Sequence, residues 1–284
     1  MIHYRTLRTI LPVILCLAST TFLPARQEPK LSEEQIKEFL RTAKVIASRH
    51  TSDGITSPYR LTLTDETITH DAGFNYVNET KARETFDDGH SEINFKDLYR
   101  YDIAAYELAK LLGLGDMMPV TVERKWDGKS GAISWWFPTK MNERTRLSKK
   151  IEPPDPDAWN KRMYKKRIFA ELVYDIDPNL TNVLISEDWQ ICMIDFTRAF
   201  RLNKDIRDKK NLTESMCERH LLERLRKLDR NELAQNTKYL KTEYLSKGEI
   251  DGVIARRDKI VVIYDDLIAK KGEKAVLYDD PVAK

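Results

Sequence analysis

The stretch AELVYDIDPNLTNVLISEDWQICMIDFTRAFR, residues 170–201, decides how this chain is read. Asp177 and Asn182 sit in an Asp-Pro-Asn-Leu-Thr-Asn run, and residues 183–186 after it have the composition of a short strand. A second apolar run, 191–194, ends in Asp195. The two runs flank Glu187 and Asp188, so they predict a hairpin with Asn182 before its first strand and Asp195 after its second. Three oxygen-bearing side chains would then converge on one point.

Phosphoryl transfer asks for such convergence, because it depends on positioning and on neutralising charge at phosphate oxygens. One carboxylate, here Asp177, orients the attacking hydroxyl. An amide and a second carboxylate, here Asn182 and Asp195, suit Mg²⁺, a hard cation that prefers oxygen ligands and keeps several waters. Each residue also has a plainer reading. Asp177 and Asn182 could stabilise the turn around Pro178, and Asp195 could close a strand. Their combination around one hairpin favours a site.

With these residues in place the sequence resembles the protein-kinase-like superfamily in its atypical branches: HipA-type kinases, phosphatidylinositol 3/4-kinase-like proteins and secreted Fam20-type kinases. The matching elements are Asp177-x-x-x-x-Asn182 and Asp195-Phe196-Thr197, which mirror the catalytic and metal loops of kinases. Upstream, Asp102-Ile-Ala-Ala-Tyr106, Leu111-Leu-Gly-Leu and Pro119-Val-Thr-Val resemble the helix-and-strand element of the Fam20 and HipA type, so the resemblance covers about residues 55–235. It implies an α+β, two-lobed protein-kinase-like fold, with a small antiparallel-sheet N-lobe carrying one helix and a mainly helical C-lobe. It also implies Asp177 as catalytic base, Asn182 and Asp195 on Mg²⁺ or Mn²⁺, ATP as phosphoryl donor, and a hydroxyl acceptor on a protein or small molecule.

The sequence departs from the pattern in three places. Ile176 and Pro178 flank Asp177 where a basic residue is usual, and Thr64, Asp65 and Glu66 stand where a Gly-x-Gly-x-x-Gly loop would lie. The strand expected at 67–77 contains no lysine to grip a nucleotide, which leaves Lys81 as the nearest candidate. By resemblance its carboxylate partner is Asp102, with Glu107 and Glu92 as competitors. A non-catalytic kinase-like module that binds a nucleotide or a protein is therefore the alternative. A glycosidase carboxylate pair is a third reading, which leaves Asn182 without a role.

Outward from this core, Ser32 with Gln35 forms a capping-box signature, and Ile36, Phe39, Leu40, Ala43 and Ile46 predict a helix over about 32–48. Tyr59, Leu61 and Leu63, then Ile68, Ala72, Phe74 and Tyr76, alternate as two strands of a hairpin. A polar loop is expected over 78–90. Leu98, Tyr101, Ala105, Leu108 and Leu112 form one stripe of a helix over 97–112, stopped by Gly113. Runs at 118–124 and 132–137 read as strands joined by a turn at 126–129. Trp135 and Trp136 adjoin the inter-lobe hinge expected near Pro138, where an aromatic could wall a base pocket or belong to the core. A Pro-rich linker at 153–156, a helix over 159–174 and nearly continuous helix from Thr213 follow.

Arg5 and Arg8 ahead of an apolar run from Ile10 to Ala18, then small residues to Ala25, form a signal-peptide pattern too short to span a bilayer. Export, periplasmic or secreted, without a stable membrane anchor is expected. The domain plan is a leader at 1–25, an N-terminal helix with a small β-rich lobe at 26–138, a helical catalytic lobe at 139–270 and a flexible tail at 271–284. With 41% apolar and 33% charged residues the chain is suited to a packed core and not to general disorder. A net charge of +3, with no long basic block, gives no support to nucleic-acid binding; the basic clusters at 144–150 and 161–167 read as solvated faces. Beyond the leader, Cys192 and Cys217 permit one disulfide or two free thiols but no metal-ligand spacing, and the histidines show no paired spacing for a zinc site or a hydrolase triad.

Overall fold

Ser32 caps the first helix: its hydroxyl accepts the Gln35 N–H and the Gln35 side chain accepts the Ser32 N–H, so two donors at the start of helix α1 (Glu33–Thr42) are satisfied. The structure, a computed structural model, describes residues 31–51 and 58–280. The expected leader at 1–25 lies outside them. Phe39 and Leu40 of α1 are buried, and Arg124 donates to the carbonyls of Leu40 and Ala43, which caps the far end of the helix. The helix stops earlier than predicted. Residues 44–50 form strand β1 (Lys44–His50), because pairing with β2 (Tyr59–Thr64) satisfies their backbone; Ile46, which had extended the helical period, is 52% exposed.

The predicted hairpin of β2 with β3 (Thr69–Asn75) forms with Leu61 opposite Ala72 and Leu63 opposite His70. The expected loop at 78–90 is instead half of a second hairpin, β4 (Asn78–Thr85) with β5 (Ser91–Leu98), turned at Gly89 with φ 85°. Strand β4, NETKARET, is polar on both faces, so no apolar alternation announces it. Helix α2 (Arg100–Leu111) follows and ends at Gly113, whose φ of 73° suits glycine. Strands β6 (Thr121–Trp126) and β7 (Lys129–Trp135) close on Asp127–Gly128, both at positive φ. The sheet order is β1-β2-β3-β7-β6, antiparallel throughout. Its α1 face buries Leu61, Leu63, Ala72, Phe74, Val122 and Ile133 in one apolar cluster.

The second, larger cluster gathers α2 with the remaining elements. Strand β8 (Met141–Asn142) and helix α3 (Glu143–Ser148) lead to α4 (Pro156–Val173), which Asp155 caps and Pro156 begins. Strands β9 (Val183–Ile185) and β10 (Ile191–Met193) form the hairpin expected from the decisive stretch. Helices α5 (Lys209–Thr213), α6 (Arg219–Lys227), α7 (Arg230–Asn236), α8 (Lys247–Lys271) and α9 (Glu273–Val276) complete the lobe, with the short strands β11 (Cys217–Glu218), β12 (Lys238–Tyr239), β13 (Thr242–Glu243) and β14 (Leu277–Tyr278) between them. The segment from 271, expected as a flexible tail, docks as far as β14, which pairs with β11 and buries Val276, Leu277 and Tyr278. From Ser32 onward the described residues form one compact unit with two apolar clusters. Cys192 and Cys217 are buried free thiols. Among the described residues no helix is long and apolar enough to cross a membrane.

Candidate active site

Helix α4 ends at Tyr174 in the left-handed conformation, and this turn launches the chain into 175–182. A series of local hydrogen bonds then fixes the loop. The Asp177 N–H donates to Asp175 Oδ1 at 3.0 Å, the Asn179 N–H to the Asp177 carbonyl at 2.7 Å, and the Asn182 N–H to the Asn179 carbonyl at 3.0 Å. Asn179 Oδ1 in turn accepts from Arg144 Nη2 at 2.7 Å, which ties the loop to α3. Across the β9–β10 hairpin the Ile194 N–H donates to the Asn182 carbonyl at 3.0 Å, so Asn182 and Asp195 leave the ladder side by side. Asp177, Asn182 and Asp195 are brought together around one hairpin.

Asp195 adopts φ 62°, an uncommon conformation for a non-glycine residue that recurs where a side chain must be aimed. The Thr197 hydroxyl donates to its Oδ1 at 3.1 Å. Burial pushes the Asp195 carboxyl up, and the nearby charges of Asp97 and Asp177 add to the shift against the pull of Thr197. Asp102, on α2, accepts the Phe196 N–H at 2.7 Å, and Asn75 Nδ2 lies 3.5 Å from its other oxygen. Burial first, then the Asp195 charge, pushes the Asp102 carboxyl well above its ordinary value. Asp102 therefore holds the loop that carries Asp195. Among the described residues it has no lysine partner.

Lys81 lies elsewhere. It projects from β4, about half exposed, and pairs with Glu79 and Glu84. The structure does not bring it to Asp102. The competing carboxylates are also engaged: Glu92 pairs with Arg198 and Arg201, and Glu107 with Lys37 and Lys110. Arg198 thereby braces the segment after Asp195 against the β4–β5 hairpin, and its guanidinium lies over Phe86 and Phe95. Trp135 stacks on His70 and meets Phe39 edge-on, a packing role, whereas Trp136 just beyond β7 carries the Arg60 guanidinium on its ring at 4.1 Å.

Two residues of the site had no sequence signal. Asp97, at the end of β5, has a buried Oδ1 with no hydrogen-bond partner, and burial raises its carboxyl with help from the Glu79 and Asp177 charges. Asn75 faces Asp102 from β3. The Asp88–Gly89 turn could have revealed the hairpin that delivers Asp97, since Asp-Gly is a strong hairpin signal. Among the described residues no three His, Cys, Asp or Glu side chains form a metal cage. The chemistry of the donor set still fits a hard divalent cation that draws further ligands from water and phosphate: two oxygen donors, Asn182 and Asp195, stand near the buried Asp102, and among the described residues neither Asp102 nor Asp195 forms an ion pair with a lysine or arginine.

A five-stranded antiparallel sheet bearing α2, a cleft-side loop held by that helix, and a helical lobe carrying the β9–β10 hairpin define an atypical kinase-like fold. Solved structures agree. The chain is similar to a hydra Fam20 determined with sugar, with a TM-score of 0.64 and 13% identity over 88% of this chain and 93% of that one. It is similar to the Golgi casein kinase, with a TM-score of 0.62 and 14% identity over 89% and 80%, and to the Helicobacter pylori proinflammatory kinase CtkA, with a TM-score of 0.51 and 9% identity over 84% and 98%. At these identities the likeness is one of fold. No family model matches the sequence, and no curated protein matches it either.

Proposed function

We propose that the chain is an exported, metal-dependent phosphotransferase that moves the terminal phosphoryl group of a nucleotide, ATP in the first instance, to a hydroxyl acceptor. The observation that supports this most is the presentation of Asp177, Asn182 and Asp195 around one short hairpin, with Asp102 holding the Asp195 loop. Asp177 orients the acceptor hydroxyl and takes its proton as the acceptor oxygen bonds to phosphorus. The bond from phosphorus to the bridging oxygen breaks, and a nucleoside diphosphate leaves. Asn182 and Asp195 would hold Mg²⁺ or Mn²⁺, which would neutralise charge on the phosphate oxygens.

Calorimetry of the purified protein with ATP and each metal tests the reading. Asp195→Ala is expected to abolish metal-dependent nucleotide binding; unchanged affinity would reject the metal role. Asp177→Ala is expected to keep binding and to lose about 10²–10⁴-fold in transfer, the range for removal of a general base.

One observation favours a second reading, a kinase-like module that binds without turnover: Asn75 stands opposite Asp102 where a lysine would pair. Autophosphorylation that disappears in Asp177→Ala would eliminate it.

A further inference from the structure

The strand register divides the N-terminal sheet into two faces. Leu61, Leu63, Ala72, Phe74, Val122 and Ile133 lie under α1. The opposite face carries the pairs Arg49–Arg60, Arg60–Gly73, Thr62–Asp71, Gly73–Ser134 and Asn75–Ala132. Asn75 on this face reaches Asp102, and Asp102 holds the residue after Asp195. The face is therefore the roof over the candidate site, and β3 contributes Asp71, Gly73 and Asn75 to it but no cation.

The cations come from the neighbouring strands. Arg49 of β1 stands directly opposite Arg60 of β2, and like charges directly opposed across a ladder are destabilising. Among the described residues one carboxylate, Asp71, pairs with Arg60. Arg60 Nε donates to Asp71 Oδ2 at 2.6 Å, and the Thr62 hydroxyl donates to Asp71 Oδ1 at 2.7 Å. Trp136 supports the flat face of the Arg60 guanidinium at 4.1 Å, so its plane is already set. A guanidinium has five N–H donors, and Arg60 gives Asp71 those of Nε and Nη2 only. A cavity of about 290 Å³ opens here, lined by Ala47, Ser48, Arg49, Arg60, Thr62 and Asp71. Among the described residues that line it, two guanidinium groups and one carboxylate leave a positive excess beside a space large enough for a phosphate chain.

Resting on the phosphotransferase reading, we propose that Arg60, assisted by Arg49, binds the polyphosphate of the donor nucleotide from the roof of the cleft, the task for which β3 supplies no lysine. Lys81, committed to Glu79 and Glu84 on the exposed hairpin, takes no part.

Calorimetry on the full chain with Mn²⁺, using ATP and inorganic tripolyphosphate as probes, tests this. Arg60→Ala is expected to weaken both probes tenfold or more, Arg49→Ala to weaken both by a smaller factor, and Lys81→Ala to leave both unchanged. Circular dichroism melts check that each variant is folded. Arg49→Ala, on an exposed edge strand, keeps the test decisive if Arg60→Ala does not fold. Wild-type affinity in folded Arg60→Ala, or in Arg49→Ala where that is the variant left to read, would overturn the proposal. So would a loss confined to Lys81→Ala, or a loss for ATP with tripolyphosphate unaffected, which would move Arg60 to the base. Failure of the wild-type chain to bind ATP while it still binds tripolyphosphate through Arg60 would overturn the phosphotransferase reading and leave the anion site standing; failure to bind either probe would overturn both.

Discussion

Asp175 is buried at the start of the loop that presents Asp177, and burial pushes its carboxyl up to about 6 from an ordinary 3.8, against the opposing pull of the Asp177 N–H and of Lys166. The folded chain thus holds this proton more tightly than the unfolded chain does. Its contribution to stability is fully present below about pH 4 and is lost as the pH rises through 6. Asp175→Asn keeps an oxygen for the Asp177 N–H and removes the charge. Chemical denaturation without metal is expected to find the variant matched to wild type near pH 4 and more stable by up to about 3 kcal/mol near pH 8; an offset independent of pH would show that Asp175 is not the group titrating. Asp177, Asn182 and Asp195 were legible in the sequence because their spacing is local and one hairpin relates them. Asp97, Asn75 and Arg60 were not, because only long-range strand register brings them to the same cleft. Lys81 was misleading for the same reason: proximity in sequence to β3 put it on a strand that faces away from Asp102.

At the scale of elements, α8 is joined to the junction of β5 and α2 by Glu249. This residue is completely buried and accepts hydrogen bonds from Lys96, the Tyr101 hydroxyl and the Ser246 N–H. Burial works against its ionisation, yet those donors hold its carboxyl below the ordinary value. Lys96 and Tyr101 immediately precede Asp97 and Asp102, so the contact fixes the two carboxylates nearest the Asp195 loop. Removing one member of such a buried, charge-assisted set costs about 3–5 kcal/mol. Glu249→Ala is expected to lower stability by that order in chemical denaturation, and a loss below about 1 kcal/mol would show the contact to be dispensable. The coupling to Lys96 and Tyr101 could not be read from the sequence, which offers only the local capping box of Ser246 with Glu249. The short helix α1 was legible through its cap, but its end was not. Ala43 and Ile46 continue the apolar period, while pairing with β2 draws the chain out as β1.

Over the described residues, two apolar clusters share one compact unit, and the segment around Val276 and Leu277 belongs to the larger of them. Val276, Leu277 and Tyr278 are each less than 8% exposed, β14 pairs with β11, and the Tyr278 hydroxyl donates to the Lys161 carbonyl at 2.8 Å. Burial of three such side chains contributes about 4–8 kcal/mol, comparable with the net stability of a typical domain. Truncation after Gly272 is therefore expected to lower the melting temperature by about 10 °C or more, or to render the chain insoluble. An unchanged melt would mean that the helical lobe is complete without it. The lobed plan and its small sheet were readable from alternating and helical periods. The docked end was not, since a polar composition conceals three anchoring side chains.

The β9–β10 hairpin carries one more consequence. Three ladder pairs separate its turn, closed by the Ser186 N–H on the Gln190 carbonyl, from the end where Asn182 and Asp195 emerge. The exposed Glu187 and Asp188 side chains therefore occupy an insulated handle: a dye or an inserted epitope at that tip would ride on the molecule without shifting the donor atoms at the opposite end, so single molecules could be tracked or tethered while the cleft stays intact.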